Sequence, residues 1–304
     1  MKSAAKKANS YREKEIIGWL FIMPVVIGVV AFQAFPILES LYFSFFKRYN
    51  VITPPEGFGF FNYTYMFKNS HFLKSCSVTA IYTVISVPLN IVLSFLLALP
   101  LNKKIKGVGI YRVLIYLPVI IPVTVGGIIW RNFFDVNYGI ANEFLVKIGF
   151  ERFTFFTSSE TAMFSFILTG LWTLGGGMIL WLSALKNVPA ELYEAANIDG
   201  ASAFVKLIKI TLPMCTPMFF YNLIMNVIGS LQTFGQVMTL TGGTAGPDDS
   251  LLFYVFKVYN DAFNISAKTM GLACAESWVL FAFISLLTFL MFKTSKWVFY
   301  GEEE

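Results

Sequence analysis

Residues 76–99 read CSVTAIYTVISVPLNIVLSFLLAL, twenty-four consecutive positions without Asp, Glu, Lys, Arg or His. About 20 apolar residues in helical conformation cross the hydrocarbon core of a bilayer, so this stretch alone is long enough to span one. Working outward, residues 16–38, 113–130, 161–185 and 212–241 are equally free of charge, and 270–292 carries a single acid, Glu276. The runs are continuously apolar, whereas barrel strands alternate over about 10 residues. The expected fold class is therefore all-α, a polytopic membrane protein with six transmembrane helices.

Composition agrees. Of the 304 residues, 56% are hydrophobic and 13% charged, against about 45–50% and about 25% in a soluble domain. So few charges cannot coat a water-soluble surface of this size. With 33 Phe and a mean hydropathy of +0.66, a disordered or nucleic-acid-coating chain is excluded. Cys76, Cys215 and Cys274 are far apart, with no metal-type spacing.

Orientation follows from the basic residues. Placing the N-terminus in the cytoplasm puts Lys2, Lys6, Lys7, Arg12 and Lys14 inside, then Lys103, Lys104, Lys106 and Arg112, then Lys186, Lys206 and Lys209, then Lys293 and Lys296. That is 14 of the 23 basic residues in the shorter segments, as the positive-inside rule asks. Both ends are expected in the cytoplasm: a tail at 1–15, a membrane domain at 16–293 and a tail at 294–304. The first span is too long for a signal-peptide core of about 7–15 residues, and no small-x-small cleavage site follows it. Segments 43–75, 131–160 and 242–269 then face outward and read as ordered caps, too short for separate domains.

Between the fourth and fifth spans lies a cytoplasmic loop, 186–211. Pro189 suits a helix start, and Glu191 and Glu194 suit its first turns, where carboxylates complement the helix dipole. The pattern predicts a helix over about 189–198 that contains Tyr193, Ala195 and Ala196. Asp199 and Gly200 follow, the glycine permitting the positive φ that ends such a helix. A second amphipathic stretch over 203–210 leads to Leu212-Pro213. The small Ala195 and Ala196 leave the first helix with a low profile that another protein can approach closely.

The spacing Glu194-Ala-Ala, three residues, Gly200, nine residues, Ile210, one residue, Leu212-Pro213 resembles the EAA signature of type I ABC-importer permeases. Gly59-Phe-Phe-Asn62-Tyr63, Gly109-Ile-Tyr-Arg112, Leu117-Pro118, Trp130, Gly139, Asn142 and Thr241-Gly242-Gly243 are similar to the carbohydrate-uptake branch, of the maltose and glycerol-phosphate permease kind. The resemblance implies the type I permease fold, with residues 189–200 as the coupling helix of an ATPase subunit. It also implies a second permease, in a heterodimer, two ATPase subunits and an extracytoplasmic solute-binding protein, in the plasma membrane of a bacterium or archaeon. ATP and Mg would be held by the ATPase, with no cofactor on this chain. Oligosaccharide, monosaccharide, sugar acid and glycerol phosphate remain open as solutes.

Polar side chains within a span need partners. Asn222, Asn226, Ser230 and Thr233 recur at spacings of four, four and three, one helical face of the fifth span. Position alone fits a cavity lining and a helix interface equally. The resemblance implies substrate contacts here and on the fourth span, where Thr169, Trp172, Thr173 and Gly176 are the candidates. An indole suits the apolar face of a sugar ring, although Trp172 also suits core packing and the Gly175–Gly177 run suits close helix contact. Glu276 should face water, a partner or the cavity, and is not counted in the site. An ion-coupled secondary transporter is the alternative, but one intramembrane acid and no evident repeat speak against it. His71 is the only histidine, and no Gly-x-x-x-x-Gly-Lys-Ser/Thr loop occurs, so the chain has no phosphate-binding loop of its own.

Overall fold

A computed structural model describes the backbone of residues 2–103 and 105–299 and the side chains of 15, 17–103 and 105–299. The side chains of Lys2, Lys6, Lys7, Arg12 and Lys14, together with Lys104 and the tail beyond 299, lie outside the described residues. Two compact units divide the chain, one within residues 2–65 and 261–278, the other within 66–260 and 279–299.

The first unit begins with α1 (Lys2–Val29), a π turn (Val30–Ala34) and α2 (Phe35–Phe43). Residues Ile17–Phe43 are long and apolar enough to cross a membrane. Their large side chains lie bare, Phe21 and Phe32 at 80% and 82% exposure, which is what a lipid-facing surface requires. An antiparallel hairpin follows, β1 (Phe46–Arg48) and β2 (Glu56–Phe58), and then α3 (Phe61–Met66). The all-α expectation omits this hairpin. Its register is held by buried Asn62, whose amide donates to the carbonyls of Ser44 and Phe46 at 2.9 and 2.8 Å.

The second unit starts at α4 (Ser70–Leu101), an unbroken helix capped by Asn69, whose Oδ1 accepts from the amides of His71 and Phe72. Then come α5 (Val108–Ile120), α6 (Val123–Phe133), α7 (Ile140–Lys147), α8 (Ser159–Gly170), α9 (Gly175–Asn187) and α10 (Ala190–Ile198). α11 (Ala203–Lys206), a π turn (Leu207–Thr211) and α12 (Leu212–Met214) lead to α13 (Thr216–Leu231), α14 (Gly235–Leu240) and α15 (Tyr254–Ala262). The last helix, α16 (Met270–Lys293), contributes to both units.

Three spans depart from the straight helices expected. Among the described residues three helices are long and apolar enough to cross, and six spans result if each bent pair counts as one. The third span breaks by 97° between α5 and α6. Pro122 lacks an N–H and drives Ile121 into extended backbone (ψ 127°). The fourth bends by 47° at a 3-10 turn before Gly175, and the fifth by 65° between α12 and α13, where Pro213 and Pro217 flank the break. Glycines let the pieces pack. A Cβ on Gly175 would strike the Ile115 carbonyl oxygen, and one on Gly177 would lie 2.9 Å from Ser94 Cβ. One buried cluster, with Ile91, Met178, Trp181 and Leu185, joins α4 to α9. Another, with Val78, Phe166, Val237 and Phe253, joins α4, α8 and α14.

Candidate functional site

The loop between α9 and α13 forms the helix that its sequence predicts. Pro189 is the residue before α10, at φ −58° and ψ 132°, and Glu191 stands in the first turn. At the other end Asp199 is the C-cap and Gly200 adopts φ +73°. The Gly200 amide donates to the Asn197 carbonyl at 3.1 Å and the Ala201 amide to the Ala196 carbonyl at 2.9 Å. This pair of bonds is the Schellman termination, in which the left-handed residue lets two otherwise orphaned carbonyls find donors.

The loop is anchored on one side only. Val188 is buried, and the Tyr193 hydroxyl lies 2.8 Å from Thr211 Oγ1, joining α10 to the π turn before α12. Lys206 Nζ donates to Asn197 Oδ1 at 2.6 Å. Glu194 and Ala195 are exposed, Ala196 is half-buried, and Ile198 at 88% and Phe204 at 72% exposure project from the same loop. The eight residues read from the sequence, Pro189, Glu191, Tyr193, Glu194, Ala195, Ala196, Asp199 and Gly200, all lie on this one element.

A cavity of about 270 Å³ lies between α4, α8 and α13. Asn226, Ser230 and Thr233 of the predicted polar row line it, facing Tyr82, Ser86 and Asn90 of α4, with Gly170 and Gly229 where the backbone comes close. The volume falls just below the ~300–1,000 Å³ typical of small-molecule sites, and the lining sets these hydroxyls and amides among the apolar side chains of Val87, Leu89, Ile167, Leu171 and Met225.

The other candidates are placed elsewhere. Asn222 is buried and donates to the Met218 carbonyl at 3.0 Å. Thr169 is buried too, accepting from Gln236 Nε2 at 2.7 Å and donating to the Phe166 carbonyl at 2.6 Å. Trp172 packs edge-on against Trp130, ring centres 5.4 Å apart. Thr173 donates to the Gly170 carbonyl, and a Cβ on Gly176 would meet Val119 at 3.8 Å. Thr169 thus joins α8 to α14, Trp172 meets α6 and Gly176 meets α5, while Thr173 is exposed. The second-span residues Tyr82, Ser86 and Asn90 escaped the sequence reading, although their spacing of four and four was a legible polar stripe.

A second hollow, about 280 Å³, is lined by Arg131, Asp135, Thr241 and Thr244 among others. The amides of Asn137 and Tyr138 donate to Asp135 Oδ1 at 2.8 and 3.2 Å. Foremost through the Asn137 bond, they hold the carboxyl below its ordinary range.

The chain matches the family described as binding-protein-dependent transport system inner membrane component over residues 90–298. It is 37% identical to the probable ABC transporter permease protein YesP of Bacillus subtilis (strain 168), covering 99% of this chain and 97% of that one. Against the lactose transport system permease protein LacF of Rhizobium radiobacter the identity is 29%, over 97% and 99% of the two chains. The fold matches, with a TM-score of 0.83 and 19% identity, a chain from a crystal structure of a bacterial ABC transporter involved in the import of the acidic polysaccharide alginate. That match covers 96% of this chain and 99% of the other.

Proposed function

Because the chain belongs to the binding-protein-dependent transport system inner membrane components, we propose that it passes a carbohydrate through the cavity between α4 and α13, driven through α10. It is a membrane-spanning permease subunit of an ABC importer, and ATP hydrolysis resides on a separate subunit. A solute-binding protein delivers the solute to importers of this family. The saccharide class draws support from the relative named for lactose and from a lining that pairs hydroxyls and amides, suited to sugar hydroxyls, with apolar side chains suited to the faces of a sugar ring. The full assembly has this chain beside a second, different permease, with two ATPase subunits holding ATP and Mg, and both termini and the loop 186–211 in the cytoplasm.

The observation that carries the reading is continuity. The exposed α10 is bonded by Tyr193 to Thr211, and from there the chain runs through α12 and a 65° elbow into α13, whose polar face lines the cavity. A displacement of α10 by the closing ATPase dimer is thereby delivered to Asn226, Ser230 and Thr233, changing which side of the membrane the cavity opens to. The ion-coupled alternative has no use for such a loop.

The test is uptake of labelled saccharides by proteoliposomes holding the complete complex and its binding protein. Accumulation should require ATP, and Asn226→Ala or Ser230→Ala should lower it while the complex still purifies intact. Uptake unchanged in both variants would place the substrate path outside this cavity, and uptake driven by an ion gradient without ATP would overturn the assignment.

A further inference from the structure

α4 is one unbroken helix and α13 follows a 65° elbow, and the cavity they share has one wall on each. On α4 the polar side chains Tyr82, Ser86 and Asn90 recur every four residues, so they stack along one face. That face belongs to an unbroken helix of 32 residues, packed along α9 through Ser94, whose Oγ accepts from buried Trp181 Nε1 at 3.2 Å. The Tyr82 ring is fixed from behind, its centre 5.1 Å from Phe253 and 5.2 Å from Phe166. Its hydroxyl sits near Gly170, 3.9 Å from where a Cβ on that glycine would lie. A larger residue at 170 would crowd it. A rigid aromatic ring with a polar tip, followed by a hydroxyl and an amide along one line, offers an apolar face and several hydrogen bonds together, the two needs of a sugar ring.

We infer that Tyr82, Ser86 and Asn90 form the fixed, specificity-determining wall for a polyhydroxylated, sugar-like solute, while α13 supplies the wall that moves. This inference rests on the proposed function and assigns to Tyr82 the aromatic role for which the sequence offered Trp172. A wall held by core packing keeps its donors and acceptors in place through the cycle, so it discriminates between solutes. The wall beyond the elbow at Cys215 changes its distance from that array, and so governs release.

The experiment uses the complete complex with Cys76, Cys215 and Cys274 replaced by alanine, and a single cysteine at Asn90→Cys or Asn226→Cys. A water-soluble methanethiosulfonate should modify both, and a mixture of lactose, maltose, trehalose and galacturonate oligosaccharides should slow both at least fivefold. Protection at 226 without protection at 90 would overturn this inference and leave the proposed function standing. Protection at neither position would overturn both. With the protecting saccharide as the uptake probe, Tyr82→Phe and Asn90→Ala should each raise the half-saturating concentration about fivefold or more, the scale of one lost hydrogen bond to a polar group left buried. Maximal rate should stay within twofold, and Ser86→Thr, which keeps the hydroxyl, should resemble the parent in both values. Half-saturating concentrations unchanged in Tyr82→Phe and Asn90→Ala would overturn the assignment of α4.

Discussion

The backbone amide of Phe299 donates to Thr216 Oγ1 at 2.8 Å, and the same hydroxyl donates to the Pro213 carbonyl at 2.7 Å. In an unbroken helix that carbonyl would receive the N–H of residue 217, but residue 217 is proline and has none. Thr216 thus supplies the missing donor at the elbow between α12 and α13, and in doing so ties down the segment after α16. Trp297 lies over the same place, its ring 5.6 Å from Phe219 and 6.0 Å from Phe220.

Thr216→Val removes both bonds at nearly constant volume. A buried group left without a partner costs about 1–3 kcal/mol, and Thr216 is half-buried, so the lower end applies. The thermal midpoint of the purified complex should fall by a few degrees, and proteolysis should reach the chain beyond Lys293 sooner. Thr216→Ser should behave as the parent does. Equal midpoints for the valine and serine variants would show that the elbow does not depend on this hydroxyl.

Gly200 is held at φ +73°, where a side chain costs roughly 1–2 kcal/mol and more if β-branched. Open space surrounds the position, so conformation alone sets the penalty. Gly200→Val should abolish saccharide-stimulated ATP hydrolysis, whereas Gly200→Asn, a residue tolerated in this region, should keep most of it. Full activity of the valine variant would remove the geometric argument for the coupling loop.

The Tyr193 hydroxyl is the polar tie from α10 to Thr211, which is itself buried. Tyr193→Phe keeps the packing and deletes the bond, at about 1 kcal/mol. Uptake should drop more than basal ATP hydrolysis does, because movement of α10 reaches α13 less faithfully. A proportional loss of both would indicate a merely structural bond.

Helix packing around glycine gives a sharper outcome. A Cβ on Gly127 would run into the Thr239 side chain and lie 3.2 Å from the Gln236 carbonyl oxygen, and one on Gly175 would lie 2.8 Å from Tyr116 Cα. Backbone cannot swing away as a side chain can, and overpacking costs about 1–3 kcal/mol. Gly175→Ala should therefore reduce the yield of intact complex in detergent more than Gly176→Ala, whose added carbon finds 3.8 Å of room. Equal yields would contradict the close approach of α5 and α9.

The proposed orientation predicts that Ile52→Cys, 72% exposed in the β1–β2 loop, reacts with an impermeant thiol reagent on intact cells. Lys106→Cys and Lys186→Cys should resist until the membrane is opened. Asn62 is a poor reporter, since it is buried and holds the hairpin. Labelling of Lys106→Cys from outside would invert the topology.

What the sequence determined by itself is local. Charge-free length marks the six apolar runs, because the price of a charge in hydrocarbon is paid residue by residue. The α10 helix and its stop were readable because Pro189 and Gly200 act through their own φ angles. The 97° break at Pro122 was equally local, yet a hydropathy window averages over a proline, and so it was missed. The tertiary structure alone decided which polar residues share a cavity. A spacing of four names a face of a helix but not the neighbour it meets, and that depends on rotation about the helix axis. Here the rotation is set by contacts such as Gly177 against Ser94, Trp172 against Trp130 and, for α13, Phe219 against Trp181. These contacts turn Asn222 and Thr169 into the packing and bring Asn226 opposite Tyr82, through close-packed atoms far apart in the chain.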